Sequence, residues 1–145
     1  MTSYSKKYLP KSLSRKDKIK QKKELNKSRK DYRTKKGKQK YHSRPKLKSY
    51  KNKSSSWTQK FHKLYPLAKS YSEISKATGI PKGALKAVVR KGKGAYYSSG
   101  SRPNQTAESW GKARMYSYIL GGKTRKVDRH VTKEYNVKFK HRSTS

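Results

Sequence analysis

The segment Gly92-Lys-Gly-Ala-Tyr-Tyr-Ser-Ser-Gly-Ser-Arg-Pro-Asn-Gln-Thr106 holds the residues best suited to chemistry. Its small residues and Arg-Pro-Asn turn let the backbone bend tightly, and turns of this kind expose N–H groups that hold anions. Arg102 is the natural clamp for a phosphate or carboxylate there, with Ser98, Ser99 and Ser101 as donors. The competing role is a structural loop laid over the domain. The spacing is not that of a Walker loop. Asp128 is the acid expected to pair with Arg102 or Arg125 and so order the loop.

Groups for catalysis are sparse. His42, His62, His130 and His141 are scattered, without a partner histidine at metal-site spacing, and the seven acids are dispersed. A set of Ser98 or Ser99 with Asp128 and His130 can be drawn, but any small protein permits one. With no cysteine in the chain, disulfides and a cysteine-ligated zinc are excluded. The expectation is a non-enzyme with no metal and no cofactor.

Charge speaks more clearly. The chain carries 42 Lys and Arg against 7 acids, a net +35. Residues 1–60 alone hold 23 of those bases against Asp17, Glu24 and Asp31. Such self-repulsion calls for a polyanion, and the expected partner is double-stranded DNA, bound electrostatically and without sequence preference. Lysine greatly outnumbers arginine in this region, which suits phosphate neutralisation better than bidentate base reading. No apolar run is long enough to span a membrane or to form a secretory signal.

The elements that would position these residues divide the chain in three. Residues 1–56 are too poor in apolar side chains to fold alone and read as a polybasic arm, disordered when free. Within it, residues 14–31 contain good helix formers, and a helix there needs a partner to offset lysine–lysine repulsion. The contact candidates in the arm are Lys22, Lys23, Arg29, Lys30, Arg33, Lys35 and Lys36.

Residues 57–130 read as a small helical domain. Ser72 is the expected cap of a short helix through Thr78, Gly79 the turn, and Pro81 the start of a second helix that Gly92 and Gly94 end. This is the pattern of a helix-turn-helix, with Lys82, Lys86, Arg90 and Lys91 outward and Ile74, Ile80, Leu85 and Val88 inward. No cluster of Arg, Asn and Gln on the second helix makes a base-reading set.

A third helix is expected from the Thr106 cap, with Glu108 in its first turn, to the stop at Gly121-Gly122. Trp110, Ala113, Ser117 and Leu120 fall on one side, which makes Trp110 the central core residue and places Lys112 and Arg114 on or near the outer face. Lys123 and Arg125 form a further basic turn. Residues 131–145 read as a C-terminal docking arm. The fold class is mainly α: a helix-turn-helix-like pair plus a tryptophan-bearing helix, with a long extended or partly helical basic N-terminal arm.

Residues 73–128 resemble a known family. The likeness rests on Gly94-Ala-Tyr-Tyr-Ser-Ser-Gly-Ser-Arg-Pro-Asn-Gln-Thr-Ala-Glu-Ser-Trp-Gly-Lys-Ala-Arg-Met-Tyr-Ser117, with Gly121-Gly122-Lys123 and Asp128. The family is a small domain of unknown function found in large double-stranded DNA viruses of algae and protists and in some tailed phages. The resemblance implies a viral origin and no established catalytic residues. Basic virion proteins of such viruses neutralise the genome or sit as minor components under the capsid shell.

The expected function is therefore that of a virion structural protein. It would be a minor internal capsid component, docked on capsid proteins through the Trp110 helix and the Ser98–Arg102 loop, and facing the packaged DNA. The alternative is a non-specific, chromatin-like DNA-condensing protein. Its expected place is inside the capsid shell, or the nucleus or viral factory of a host cell.

Overall fold

The computed structural model describes residues 8–34, 46–50, 55–101 and 103–142. Among them are seven helices and no strand: α1 (Arg15–Thr34), α2 (Ser56–Leu64), α3 (Tyr71–Thr78), α4 (Lys82–Ser98), α5 (Ala107–Leu120), α6 (Thr124–Val127) and α7 (Arg129–Glu134). The mainly helical class is as expected. Two compact units form, one from Met1–Lys53 with Lys93–Ala107 and the other from Ser54–Gly92 with Glu108–Ser145.

The second unit holds the hydrophobic core. Phe61 of α2, fully buried, stacks on Tyr116 with ring centroids 4.5 Å apart. In α3 the cap is Ser70 rather than Ser72. The Ser70 hydroxyl accepts from the Glu73 N–H and the Glu73 carboxylate accepts from the Ser70 N–H, so two orphan donors are satisfied reciprocally. Gly79 closes α3 in the left-handed conformation at φ 74°, which a side chain would oppose. Ile80, Ala84, Leu85, Val88 and Val89 then face the core, so the helix-turn-helix-like pair is present.

Two glycines expected to end α4 lie inside it, because the helix runs on to Ser98. Gly92 serves a close crossing instead: a Cβ there would lie 2.5 Å from the Gly111 Cα of α5.

Burial along α5 departs from a single stripe. Met115 through Leu120 are all buried, while Trp110 and Ala113 are half-buried and outside the core cluster. Neighbours surround the C-terminal half of α5 on every side, so position along the helix decides burial more than face does. The helix stops as expected: Gly121 takes φ 92° and the Gly122 N–H donates to the Ser117 carbonyl at 2.7 Å.

The segment expected as a docking arm is part of this unit. Val131 and Val137 are buried in the core, and Phe139 packs against it. The Tyr118 and Thr132 hydroxyls are 2.7 Å apart, and Tyr65 Oη lies 2.7 Å from His141 Nε2.

Candidate nucleic-acid interface

Helix α1 starts at a serine that does two jobs. Ser14 Oγ accepts from the Asp17 N–H at 3.2 Å, in the manner of an N-cap, and the Ser14 N–H donates to Ser49 Oγ at 3.0 Å. The Ser49 N–H in turn donates to Asp17 Oδ2 at 3.0 Å, and the Ser49 hydroxyl donates to the same oxygen. These bonds to the charged form hold the Asp17 carboxyl below the ordinary aspartate range.

The buried positions of α1 are Asp17, Gln21, Leu25, Ser28 and Asp31. Steps of three and four residues place them on one face. Four of the five are polar; Asp17 is held by Ser14 and Ser49, and Gln21 and Ser28 reach carbonyls at residues 97–101 and at Tyr8. Gln21 Nε2 donates to the carbonyls of Tyr8 at 2.9 Å and Ser101 at 3.3 Å. Ser28 Oγ donates to the Tyr97 carbonyl at 2.8 Å. Arg29 sends Nε and Nη2 to the Ser99 carbonyl at 2.9 and 2.6 Å. Leu25, fully buried, fits over Gly100, where an added Cβ would sit 3.0 Å from Leu25 Cδ2.

The turn is held from a second direction. Asn104 pairs with Leu47 twice, its Nδ2 donating to the Leu47 carbonyl at 3.1 Å and its Oδ1 accepting from the Leu47 N–H at 2.7 Å. Tyr96 Oη donates to the Gln105 carbonyl at 2.9 Å. The glycine–serine segment thus offers α1 its carbonyl oxygens, where the sequence reading expected N–H and hydroxyl donors cradling an anion. Ser98 is half-buried, Ser99 exposed and Ser101 buried. Arg102, Lys35 and Lys36 lie outside the described residues.

A neighbouring face of α1 carries a line of bases, beside the exposed Ile19 and Asn26. Lys16, Lys20, Lys23, Lys27 and Lys30 are all exposed, at spacings of four, three, four and three residues. At 1.5 Å of rise per residue the ridge is about 21 Å long, with an ammonium roughly every 5 Å. Arg33 is exposed near its end and Lys22 half-buried on its flank. Asp17 and Asp31 point inward and Glu24 is half-buried, so the acids of this region do not interrupt the ridge. The fold thus separates the two signs of charge across one helix. A ridge of flexible point charges neutralises phosphates and carries little base discrimination.

The basic residues of the second unit fare differently. Lys82, Lys86, Arg90 and Lys91 are exposed on α4. Lys82 Nζ donates to Ser72 Oγ at 3.1 Å, and Lys86 Nζ stands 5.9 Å from the Tyr71 ring centre. Lys123 is exposed in the turn after α5. Arg125 is committed to structure: Nε donates to the Tyr118 carbonyl at 2.9 Å, Nη2 to the Ile119 carbonyl at 2.7 Å, and the guanidinium lies 3.7 Å from the Phe139 ring centre. It satisfies carbonyls that the end of α5 leaves open.

Among the described residues Asp128 pairs with Arg114, the residue expected near the outer face, and not with Arg125. Arg114 Nε reaches Asp128 Oδ2 at 2.8 Å and Nη2 reaches Oδ1 at 2.6 Å. His62 and His130 are exposed, and His141 is held below the ordinary histidine range by burial and by Arg125, Lys60 and Lys140. Among the described residues no three of His, Cys, Asp and Glu gather as metal ligands, and no helix is long and apolar enough to cross a membrane.

A family of unknown function (DUF5824) matches residues 5–138, nearly the whole chain. The chain belongs to that family. The match takes in α1 and the lysine-rich segment, whereas the resemblance in the sequence covered 73–128 and left the arm outside. The basic arm is therefore within the family's span. No curated protein and no solved structure matches the chain.

The residues that sequence reasoning missed are Gln21, Ser28, Ser49, Asn104 and Arg114. A signal for the first two was present, since 17, 21, 25 and 28 interrupt the lysines at helical spacing. The stripe is polar, and a search for apolar periodicity passes over it.

Proposed function

We propose that this chain is a non-catalytic virion protein that neutralises packaged double-stranded DNA through the lysine ridge of α1. The observation that carries the reading is the division of α1, with Asp17 and Asp31 buried and five lysines in an exposed line. Exposed bases on α4 add a further non-specific contact. The placement inside a virion rests on the resemblance of residues 73–128 to the viral family described above.

The test is duplex binding across a salt series. Each phosphate contact releases counterions, so the slope of log K against log[salt] falls by about 0.9 for every ridge lysine changed to glutamine. A slope indifferent to Lys20→Gln, Lys23→Gln and Lys27→Gln would reject the ridge as the interface.

A second reading, a minor capsid component docked on shell proteins, is favoured by Leu64 and Leu67, which are 48% and 82% exposed. Two large apolar side chains three residues apart and open to solvent suit protein contact. The Ser98–Arg102 loop is less suited to docking than the sequence implied, because α1 occupies the carbonyls of Ser99 and Ser101. Fractionating particles after nuclease and moderate salt separates the readings: retention at a fixed ratio to capsid protein favours docking, and release with the genome favours DNA neutralisation.

A further inference from the structure

Arg29 sits among the exposed lysines of α1 in sequence and, by charge, belongs with them. Its geometry sets it apart. Two of its three nitrogens converge on one carbonyl, that of Ser99, while the adjacent Ser28 hydroxyl donates to the Tyr97 carbonyl.

We propose that Arg29 is a positioning residue for nucleic-acid binding: it fastens α1 to the 97–101 turn and so presents the lysine ridge already helical. The inference rests on the proposed function, because the ridge must bind a polyanion for its positioning to matter. The physical need is plain. Lysines three and four apart repel one another, and helices in proteins draw most of their stability from tertiary packing. Released from the turn, α1 loses the contacts that oppose this repulsion, and the cost of ordering it is added to binding. Held by Arg29, Ser28 and Gln21, the helix is ordered beforehand. Arginine is required rather than any cation, because a planar fork can send two N–H groups to one oxygen and an ammonium on a flexible stem cannot hold that geometry.

The experiment compares the full chain with Arg29→Lys, Arg29→Gln, Ser28→Ala and Lys27→Gln by two measurements. Amide hydrogen exchange of the free protein reads the order of α1. Binding to a short mixed-sequence DNA duplex across a salt series reads affinity and the number of phosphates contacted. Arg29→Lys and Ser28→Ala are expected to lose protection across α1 and to bind about tenfold more weakly at fixed salt, with the salt slope unchanged. Lys27→Gln is expected to keep α1 protected and to lower the slope by about 0.9.

An Arg29→Lys protein that keeps wild-type protection and affinity would overturn the positioning role, since charge alone would then suffice. A lower slope for Arg29→Gln than for Arg29→Lys would overturn it too, because Arg29 would then be one of the phosphate contacts. A wild-type protein that fails to bind duplex would instead sink the proposed function, whatever the exchange of α1.

Discussion

Arg114 and Asp128 form a two-pronged ion pair in which Asp128 is completely buried and the Arg114 side chain keeps 22% of its surface in solvent. The two ends of the pair are therefore unequal. Removing the arginine strands a carboxylate away from water. Removing the carboxylate charge leaves a guanidinium that can still reach solvent.

That asymmetry gives the first prediction. Arg114→Ala is expected to cost about 3–5 kcal/mol, the range for breaking a buried pair from one side. Asp128→Asn is expected to cost less. Urea denaturation checks this: the midpoint should fall further for Arg114→Ala, with the m-value unchanged in both. Equal losses would mean that exposure of the arginine end does not matter.

Two glycines in α4 should respond with opposite signs. A Cβ on Gly92 would lie 2.5 Å from the Gly111 Cα, and backbone cannot yield there without moving α5. Gly92→Ala is expected to cost about 1–3 kcal/mol, as overpacking does. Among the described residues Gly94 has only the Tyr32 hydroxyl within reach, at 4.0 Å. Gly94→Ala is expected to stabilise the protein by about 0.5–1 kcal/mol, since alanine is the better helix former. Thermal unfolding of both variants reads the two signs directly.

Asp17 makes stability depend on pH at the acid end. The hydrogen bonds from the Ser49 side chain and N–H lower its folded pKa below the unfolded value, with smaller help from Lys20. The stabilisation is therefore complete above the unfolded pKa of about 4 and is lost as pH falls through the folded value. Ser49→Ala should move the Asp17 carboxyl back up toward the ordinary aspartate range. Carboxyl-carbon NMR titration measures that shift, and an unchanged pKa would remove Ser49 as its cause.

Arg125 should matter to the fold and not to binding. Arg125→Ala removes the donors to the Tyr118 and Ile119 carbonyls and the contact with Phe139, at an expected cost of about 1–3 kcal/mol. The salt slope of duplex binding should stay at the wild-type value. A decrease near 0.9 would instead return Arg125 to the phosphate contacts.

Much of the helical layout was legible because local rules decide it. Gly79 and Gly121 mark helix ends through backbone conformations that side chains disfavour, and Ile74, Ile80, Leu85 and Val88 fall inward at helical spacing. Gly92 misled, because a glycine inside a helix and one at its end look alike until the crossing partner Gly111 is known. Trp110 misled because size is no guide to depth: the core is centred on Tyr118, Ile119 and Met115, further along the same helix.

By itself the sequence determined charge, composition and helical periodicity. Those properties are carried by residue types and neighbours along the chain, and they suffice for a mainly helical fold. Tertiary structure decided which charges face outward and which are consumed. Arg29, Arg114 and Arg125 differ little as sequence, yet the first holds a turn, the second neutralises a buried acid and the third caps a helix. A cation's role depends on the acceptor that long-range folding brings to it, here 70 residues away for Arg29 and 14 for Arg114. No local pattern encodes such a meeting.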